Sequence, residues 1–172
     1  MIRGHQWSRA RIINGILSLA LMALIFGFSA NTGEESAGLS GKVTEWLLPR
    51  LYPQYLAMSA GKRAGAFQTV HYLLRKLAHF TEFALLGAAL RQFLWTFPIK
   101  RPGLWAFLSC ALFAAADELH QTLVAGRSGR FQDTLIDSAG ALAGILLAAA
   151  AVALIQYAKL KKSFDLKNIN PV

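Results

Sequence analysis

The segment DTLIDSAGALAGILLAAAAVALIQY, residues 133–157, decides the fold, because beyond Asp137 it carries no charge and is long enough to cross a membrane. Three further apolar stretches precede it, at about residues 12–30, 70–95 and 104–124. Roughly 20 helical residues cross a hydrocarbon core. The sequence therefore predicts an all-α, polytopic membrane protein of four transmembrane helices, in one domain over residues 1–172 with a basic tail at residues 158–172.

The composition favours lipid over water as the surroundings of the chain. Hydrophobic residues make up 55% of it and charged residues 16%, against about 45–50% and about 25% in soluble domains. The net charge of +9 does not indicate a nucleic-acid binder, because the basic residues flank the apolar runs. They include Arg3, Arg9 and Arg11 before the first run, and Lys159, Lys161, Lys162 and Lys167 after the last. Membrane lipids are the expected partner.

The first apolar run and the single cysteine each have two possible interpretations. The first apolar run has a basic front like a secretory signal, but it is longer than the usual ~7–15 residues and places the bulky Phe28 where cleavage requires a small residue. We expect an uncleaved helix. The single cysteine, Cys110, allows no disulfide, and its neighbours favour a packed helix residue over a reactive thiol.

The loops predict how the chain is oriented. Residues 39–58, between the first and second spans, mix aromatic and apolar residues with charges and prolines, which is typical of an interfacial segment. Both termini and the Lys100-Arg101 loop carry basic residues, so we expect them on the cytoplasmic side. This orientation brings the polar ends of the second, third and fourth spans together near the outer side.

The spacing of these polar residues predicts a shared interior face, because residues three, four and seven apart lie on one side of a helix. The predicted faces are Lys76, His79, Phe80 and Phe83; Asp117, His120 and Gln121; and Asp133, Asp137, Gly140 and Gly144. The two glycines would let another helix approach closely beneath the two carboxylates.

An ionised group facing lipid costs at least about 2.5–3.5 kcal/mol near the bilayer centre, so this cluster must face protein or a wet cavity. One interpretation is an outward-facing pocket for a lipid headgroup or another amphipathic ligand. Its candidate ligand-binding residues are Lys76, His79, Glu82, Asp117, Glu118, His120, Gln121, Arg127, Arg130, Asp133 and Asp137. A second interpretation is purely structural, with Lys76, Arg127 and Arg130 paired to the carboxylates. A third is a metal site, for which the candidate ligands are His79, Glu82, Asp117, Glu118 and His120.

These residues resemble the motifs of the VanZ-like family of bacterial membrane proteins. The family pattern Lys-x-x-His-Phe-x-Glu is matched by Lys76, His79, Phe80 and Glu82, and its Asp-Glu-x-x-Gln by Asp117, Glu118 and Gln121. A Gly-Arg, a later Asp and a small-residue helix follow at Gly126, Arg127, Asp133, Gly140 and Gly144. Asp137 stands where the family often has Asn. The resemblance implies a multi-pass protein of the bacterial cytoplasmic membrane, related to a founding member linked to resistance to the glycopeptide antibiotic teicoplanin.

The sequence is compatible with three functions. The first is a non-enzymatic protein that alters access of a lipoglycopeptide, or of a lipid-linked wall precursor, at the outer leaflet of the cell envelope. The second is a membrane-embedded hydrolase or transferase acting on a lipid-linked substrate, with Glu82 or Glu118 as general base. The third is a small proton-coupled carrier using His79 and Glu82, for which four helices are few. Apart from the candidate metal ligands, no residue pattern identifies a cofactor.

Overall fold

The computed structural model describes residues 2–169, with side chains at residues 9–162 and at Phe164. The side chains of Arg3 and Lys167, which the sequence analysis placed in the basic flanks, lie outside this described set. Within it the chain is all-helical, as predicted, and has no strand. The helices are α1, Ile2–Ser29; α2, Gly33–Leu51; a 3-10 helix, Pro53–Ala57; α3, Ala60–Trp95; α4, Pro102–Gln121; and α5, Phe131–Ile169.

Helix α3 lies at the centre of the fold, in contact with α1, α2, α4 and α5, and it packs most extensively against α5. Three glycines allow this close packing. A Cβ at Gly140 or Gly144 of α5 would fall on the carbonyl oxygen of Phe80 or Ala84, and one at Gly87 of α3 would fall on that of Ala141. The predicted close approach at Gly140 and Gly144 is confirmed, and α3 is the helix that approaches.

The apolar core lies beside this crossing. It consists of Ile25, Phe83, Leu86, Cys110, Ala114 and Ala141. Cys110 is completely buried, which confirms that it is a packed helix residue. Most of the large apolar side chains elsewhere on the helices point outward; Leu112 of α4 and Leu147 of α5, for example, are 74% and 70% exposed. An outer surface of this kind suits hydrocarbon and not water.

Among the described residues, three helices are long and apolar enough to cross a membrane: Arg9–Ser29, Pro102–Gln121 and Phe131–Lys162. The predicted span at about residues 70–95 lies in α3, which does not meet the same criterion because of its charges at Arg75, Lys76, Glu82 and Arg91. Helix boundaries also differ from the prediction. Helix α5 continues through the basic segment after Tyr157 to Ile169, and α4 ends at Gln121, before the predicted end of its span.

The segment between α1 and α3 is helical and rests on α3. Thr32 caps α2: its hydroxyl accepts from the N–H of Glu35, and the Glu35 carboxylate accepts from the N–H of Thr32 at 2.9 Å. The N–H of Gly33 also donates to the carbonyl of Ala125 at 3.0 Å, next to Gly126, which turns the chain with a φ of 72°. This last bond attaches the start of α2 to the loop between α4 and α5.

Candidate functional site

The site begins with two polar contacts between α3 and α5, at the end of their crossing. Lys76 forms an ion pair with Asp133. One helical turn further on, Nδ1 of His79 lies 3.8 Å from Oδ1 of the completely buried Asp137. The glycine contacts at Phe80–Gly140 and Ala84–Gly144 continue the same row. The predicted faces of the second and fourth spans therefore meet each other.

Helix α4 contributes buried carboxylates from its last turns. Asp117 is 1% exposed, and its Oδ2 accepts from the amide of Gln121 at 2.9 Å and from the hydroxyl of Ser29 at 2.9 Å. Glu118 is 6% exposed, and its Oε1 accepts from the backbone N–H of Arg130. These bonds tie the end of α4 to α1 on one side and to the start of α5 on the other.

Arg127 connects three parts of the chain. Its guanidinium donates to the carbonyl of Asn31 at 3.0 Å, to the carbonyl of Phe28 at 3.0 Å and to Oε1 of Gln121 at 3.1 Å. All three acceptors are neutral. Arg127 therefore fixes the end of α1 and the α4–α5 loop while its positive charge stays uncompensated by a direct ion pair.

Of the three cations that the purely structural interpretation pairs with carboxylates, Lys76 alone has such a partner among the described side chains, in Asp133. Among the described side chains, the only ion-pair contacts within 4.0 Å are Lys76 with Asp133 and His79 with Asp137. Several buried oxygens in the same described set have no hydrogen-bond partner: Oδ1 of Asp117, Oε2 of Glu118, and both oxygens of Asp137. A buried carboxylate is costly without a paired cation, so ion pairing does not account for this cluster.

A polar cleft of about 310 Å³ opens above this cluster. Four cationic side chains border it, Arg75, Lys76, Arg127 and Arg130, and Asp133 is its one carboxylate among the described residues. His71 and His79 also line it. The cleft is therefore strongly electropositive, although it lies directly above buried carboxylates.

An apolar groove of about 510 Å³ adjoins the polar cleft, between α2 and α3. Leu39 and Val43 of α2 form one wall, and Leu74, Leu77 and Leu85 of α3 form the other. Ser40 of α2 contacts Nε2 of His71 at 2.6 Å, which holds the two helices together above the groove. Glu82 points to the groove and not to the polar cleft.

His120 lies apart from the other predicted site residues. Its ring packs against that of Phe26 of α1, with centroids 4.3 Å apart, and it lines neither cleft. His120 lies about 60° around the helix from Asp117 and about 100° from Gln121, so it is at the edge of the predicted face, where it meets Phe26 of α1. In the described part of the chain, no group of three or more His, Cys, Asp and Glu residues could hold a metal ion, so the candidate metal ligands are not brought into one such group.

Two residues of the site, Arg75 and Ser29, are not among those predicted from the sequence. Arg75 lines both clefts, and its spacing from His79 and Glu82, at i, i+4 and i+7, gave the available signal because it defines one helix face. Ser29 is completely buried against Asp117, and no local pattern marks it. A serine at the end of an apolar run gives no sign of a partner on another helix.

Comparison with known proteins gives a family and nothing finer. A family model described as VanZ/LLP1 matches residues 15–155, and the chain belongs to that family. The match includes the polar residues of α3, α4 and α5 described above. Searches of curated proteins and of solved structures gave no match.

Proposed function

We propose that this VanZ/LLP1 protein crosses the bacterial cytoplasmic membrane with α1, α3, α4 and α5, and that its two clefts bind an amphipathic ligand at the outer leaflet. The observation that carries the proposal is the junction of an electropositive cleft with an apolar groove. Ligands with a charged head and an apolar chain match such a junction at both ends.

The packing supports α3 as the fourth transmembrane helix. With its charged residues, α3 is not among the helices that are apolar enough by composition to cross a membrane. However, α1, α4 and α5 all contact α3 and present apolar side chains outward. Charged residues are tolerated within membranes where they face the interior of a helix bundle or a wet cavity. The groove wall formed by α2 suits a helix at the interface, as expected for residues 39–58.

Loop charges support cytoplasmic termini. Arg11 of α1 donates to the carbonyl of Thr96 at 2.7 Å, so the start of α1 and the end of α3 lie together, near the Lys100-Arg101 loop. Single cysteines at Lys100 and at the exposed Ser128 test the orientation with an impermeant thiol reagent in intact cells. Cys110 is buried and should stay unlabelled. We expect labelling at residue 128 alone. Labelling at residue 100 alone would mean that the orientation is the opposite one and that the clefts do not face the outside of the cell.

The proposed role is to alter access of a lipoglycopeptide, or of a lipid-linked wall precursor, at the outer leaflet. Expression of the protein in a sensitive host should change susceptibility to teicoplanin more than to vancomycin, because teicoplanin carries an acyl chain that suits the groove. Glu118→Gln, which removes a buried ionisable group but keeps the acceptor for the N–H of Arg130, should reduce the effect. Equal susceptibility with and without the protein, for both antibiotics, counts against this role.

One observation favours the enzymatic alternative, a hydrolase or transferase for a lipid-linked substrate. Glu118 is held by the Arg130 N–H through one oxygen, and among the described groups its other, buried oxygen has no partner and is free to take a proton. Glu82, in the groove, is the other candidate base. The test is turnover of lipid-linked substrates by purified protein. Turnover that Glu118→Gln abolishes without loss of folding would establish the enzyme; binding without turnover leaves the non-enzymatic role.

A further inference from the structure

The polar cleft and the apolar groove are parts of one continuous site. Arg75, His79 and Arg127 line both. Ligand pockets usually have volumes of roughly 300–1,000 Å³. The polar cleft, at about 310 Å³, is near the lower end of that range, and the groove, at about 510 Å³, is closer to the middle. Because they meet along shared side chains, a single molecule can occupy both at once.

The two parts are arranged along α3 in the order in which a lipid lies in the outer leaflet. The α3 residues of the polar cleft run from position 68 to 79, and those of the groove from position 74 to 85. The groove is therefore displaced by six residues, which is about 9 Å of helix at about 1.5 Å per residue. In the proposed orientation that displacement leads from the membrane surface toward its centre.

The charges of the polar cleft select an anion. Among the described residues, Lys76 alone of the four cationic side chains has a carboxylate partner. Arg75 makes no hydrogen bond or ion pair within the described set, and Arg127 uses only neutral acceptors. Two guanidinium groups at one cleft suit a phosphate, because their planar N–H donors bind its oxygens in pairs.

Glu82 makes the inner end of the groove different from its outer end. It is the only carboxylate among the described residues that line the groove, and it lies about two helical turns beyond Arg75. A phosphate that moved deeper would leave the arginines and meet apolar side chains and an acidic group, which offer it no cation. The anionic head of a ligand is thus confined to the outer end, and its chain to the inner end.

We propose that the joined clefts bind one single-chain lipid phosphate, with the phosphate against Arg75 and Arg127 and the chain in the groove between α2 and α3. This inference rests on the proposed function and narrows its ligand to a class. One apolar groove accommodates one chain, so a monoester of a long-chain alcohol fits better than a two-chain phospholipid.

Binding to the full-length protein in phosphatidylcholine nanodiscs tests the proposal. The probes are hexadecyl phosphate, hexadecanol, inorganic phosphate and the two-chain dipalmitoyl phosphatidate, measured by native mass spectrometry and by competition. Hexadecyl phosphate should bind at least about tenfold more tightly than each of the other three, because only it supplies charge and a single chain together. Equal binding of inorganic phosphate, or tighter binding of phosphatidate, overturns the proposal.

Two variants test the two ends of the site separately. Arg75→Gln removes a charge that makes no hydrogen bond or ion pair with other described residues. It should weaken the binding of hexadecyl phosphate by about tenfold without affecting folding, and Arg75→Lys should restore part of the affinity. The matched control is Arg9→Gln, an exposed arginine of α1 outside both clefts. Ala78→Leu fills the groove and should also weaken binding; its control is Ala115→Leu on the exposed face of α4.

The outcomes separate this inference from the broader function. If teicoplanin or a two-chain lipid is retained, and Arg75→Gln does not change its retention, the narrower inference is wrong and the amphipathic site stands. If none of the amphipathic probes is retained above the level seen in nanodiscs without protein, both are wrong. If Arg9→Gln weakens the binding of hexadecyl phosphate as much as Arg75→Gln does, the effect depends only on the net charge of the protein. That result would also overturn the assignment of the phosphate to the cleft.

Discussion

Replacing Gly144 by alanine tests the helix crossing on which the site is built. A Cβ at Gly144 would lie 2.6 Å from the carbonyl carbon and 2.8 Å from the Cα of Ala84, besides overlapping its oxygen. These are backbone atoms, so no change of rotamer relieves the overlap. The helices would have to separate by at least 0.8 Å, the difference between 2.6 Å and the 3.4 Å at which ordinary van der Waals contact begins.

This separation should reduce the free energy of unfolding by about 1–3 kcal/mol, the usual cost of overpacking. Unfolding in a titration of denaturing detergent, followed by circular dichroism, measures the change. The matched control is Gly27→Ala in α1, where a Cβ meets nothing within 4 Å and removal of a helical glycine should stabilise by roughly 0.5–1 kcal/mol. Equal stability of Gly144→Ala and Gly27→Ala would refute the close crossing of α3 and α5.

Three other changes have expected outcomes. Arg127→Gln removes donors to the ends of α1 and α4 and should lower the free energy of unfolding by about 1.5–3 kcal/mol, measured in the same titration, with no comparable loss in Arg9→Gln. Ser29→Ala removes a buried donor to Asp117 and should cost about 1–3 kcal/mol, whereas Ser109→Ala on the exposed face of α4 should cost little. The N–H of Thr32 lowers the pKa of Glu35, so the cap contributes fully above the usual pKa of glutamate and is lost as pH falls through the lowered value. Amide exchange at the start of α2, corrected for its intrinsic pH dependence, should therefore accelerate in acid for the wild type and stay constant for Glu35→Gln; identical profiles would contradict the capping box.

The pattern of α5 predicted that another helix approaches it closely at Gly140 and Gly144. Asp133, Asp137, Gly140 and Gly144 recur at four-, three- and four-residue intervals, so they share a face whatever the tertiary fold. The small residues indicate that another helix approaches, and the carboxylates indicate that it carries cations or donors. Lys76 and His79 meet these requirements, and both lie opposite the predicted carboxylates.

Features that depend on contacts between distant segments could not be predicted in this way. The direction of His120 depends on where α1 lies, and the partner of Ser29 depends on where α4 ends. The apolar groove required the position of α2, which is set by the bond from Gly33 to Ala125 and by the contact of Ser40 with His71. Periodicity within one helix carries no information on these placements.

Because α3 carries charges, the same helix contacts that stabilise it also position the residues of its proposed function. An ionised side chain near the bilayer centre costs at least about 2.5–3.5 kcal/mol when it faces lipid, so a helix with Arg75, Lys76, Glu82 and Arg91 is not a stable span alone. Its insertion as the proposed fourth span requires α1, α4 and α5 around it. The glycine contacts bring α5 close enough for Asp133 to meet Lys76. Arg75, about 100° around the helix from Lys76, lines the polar cleft and also the groove beside α2. The packing that stabilises α3 in the bundle therefore also holds an unpaired cation at the junction of the two clefts.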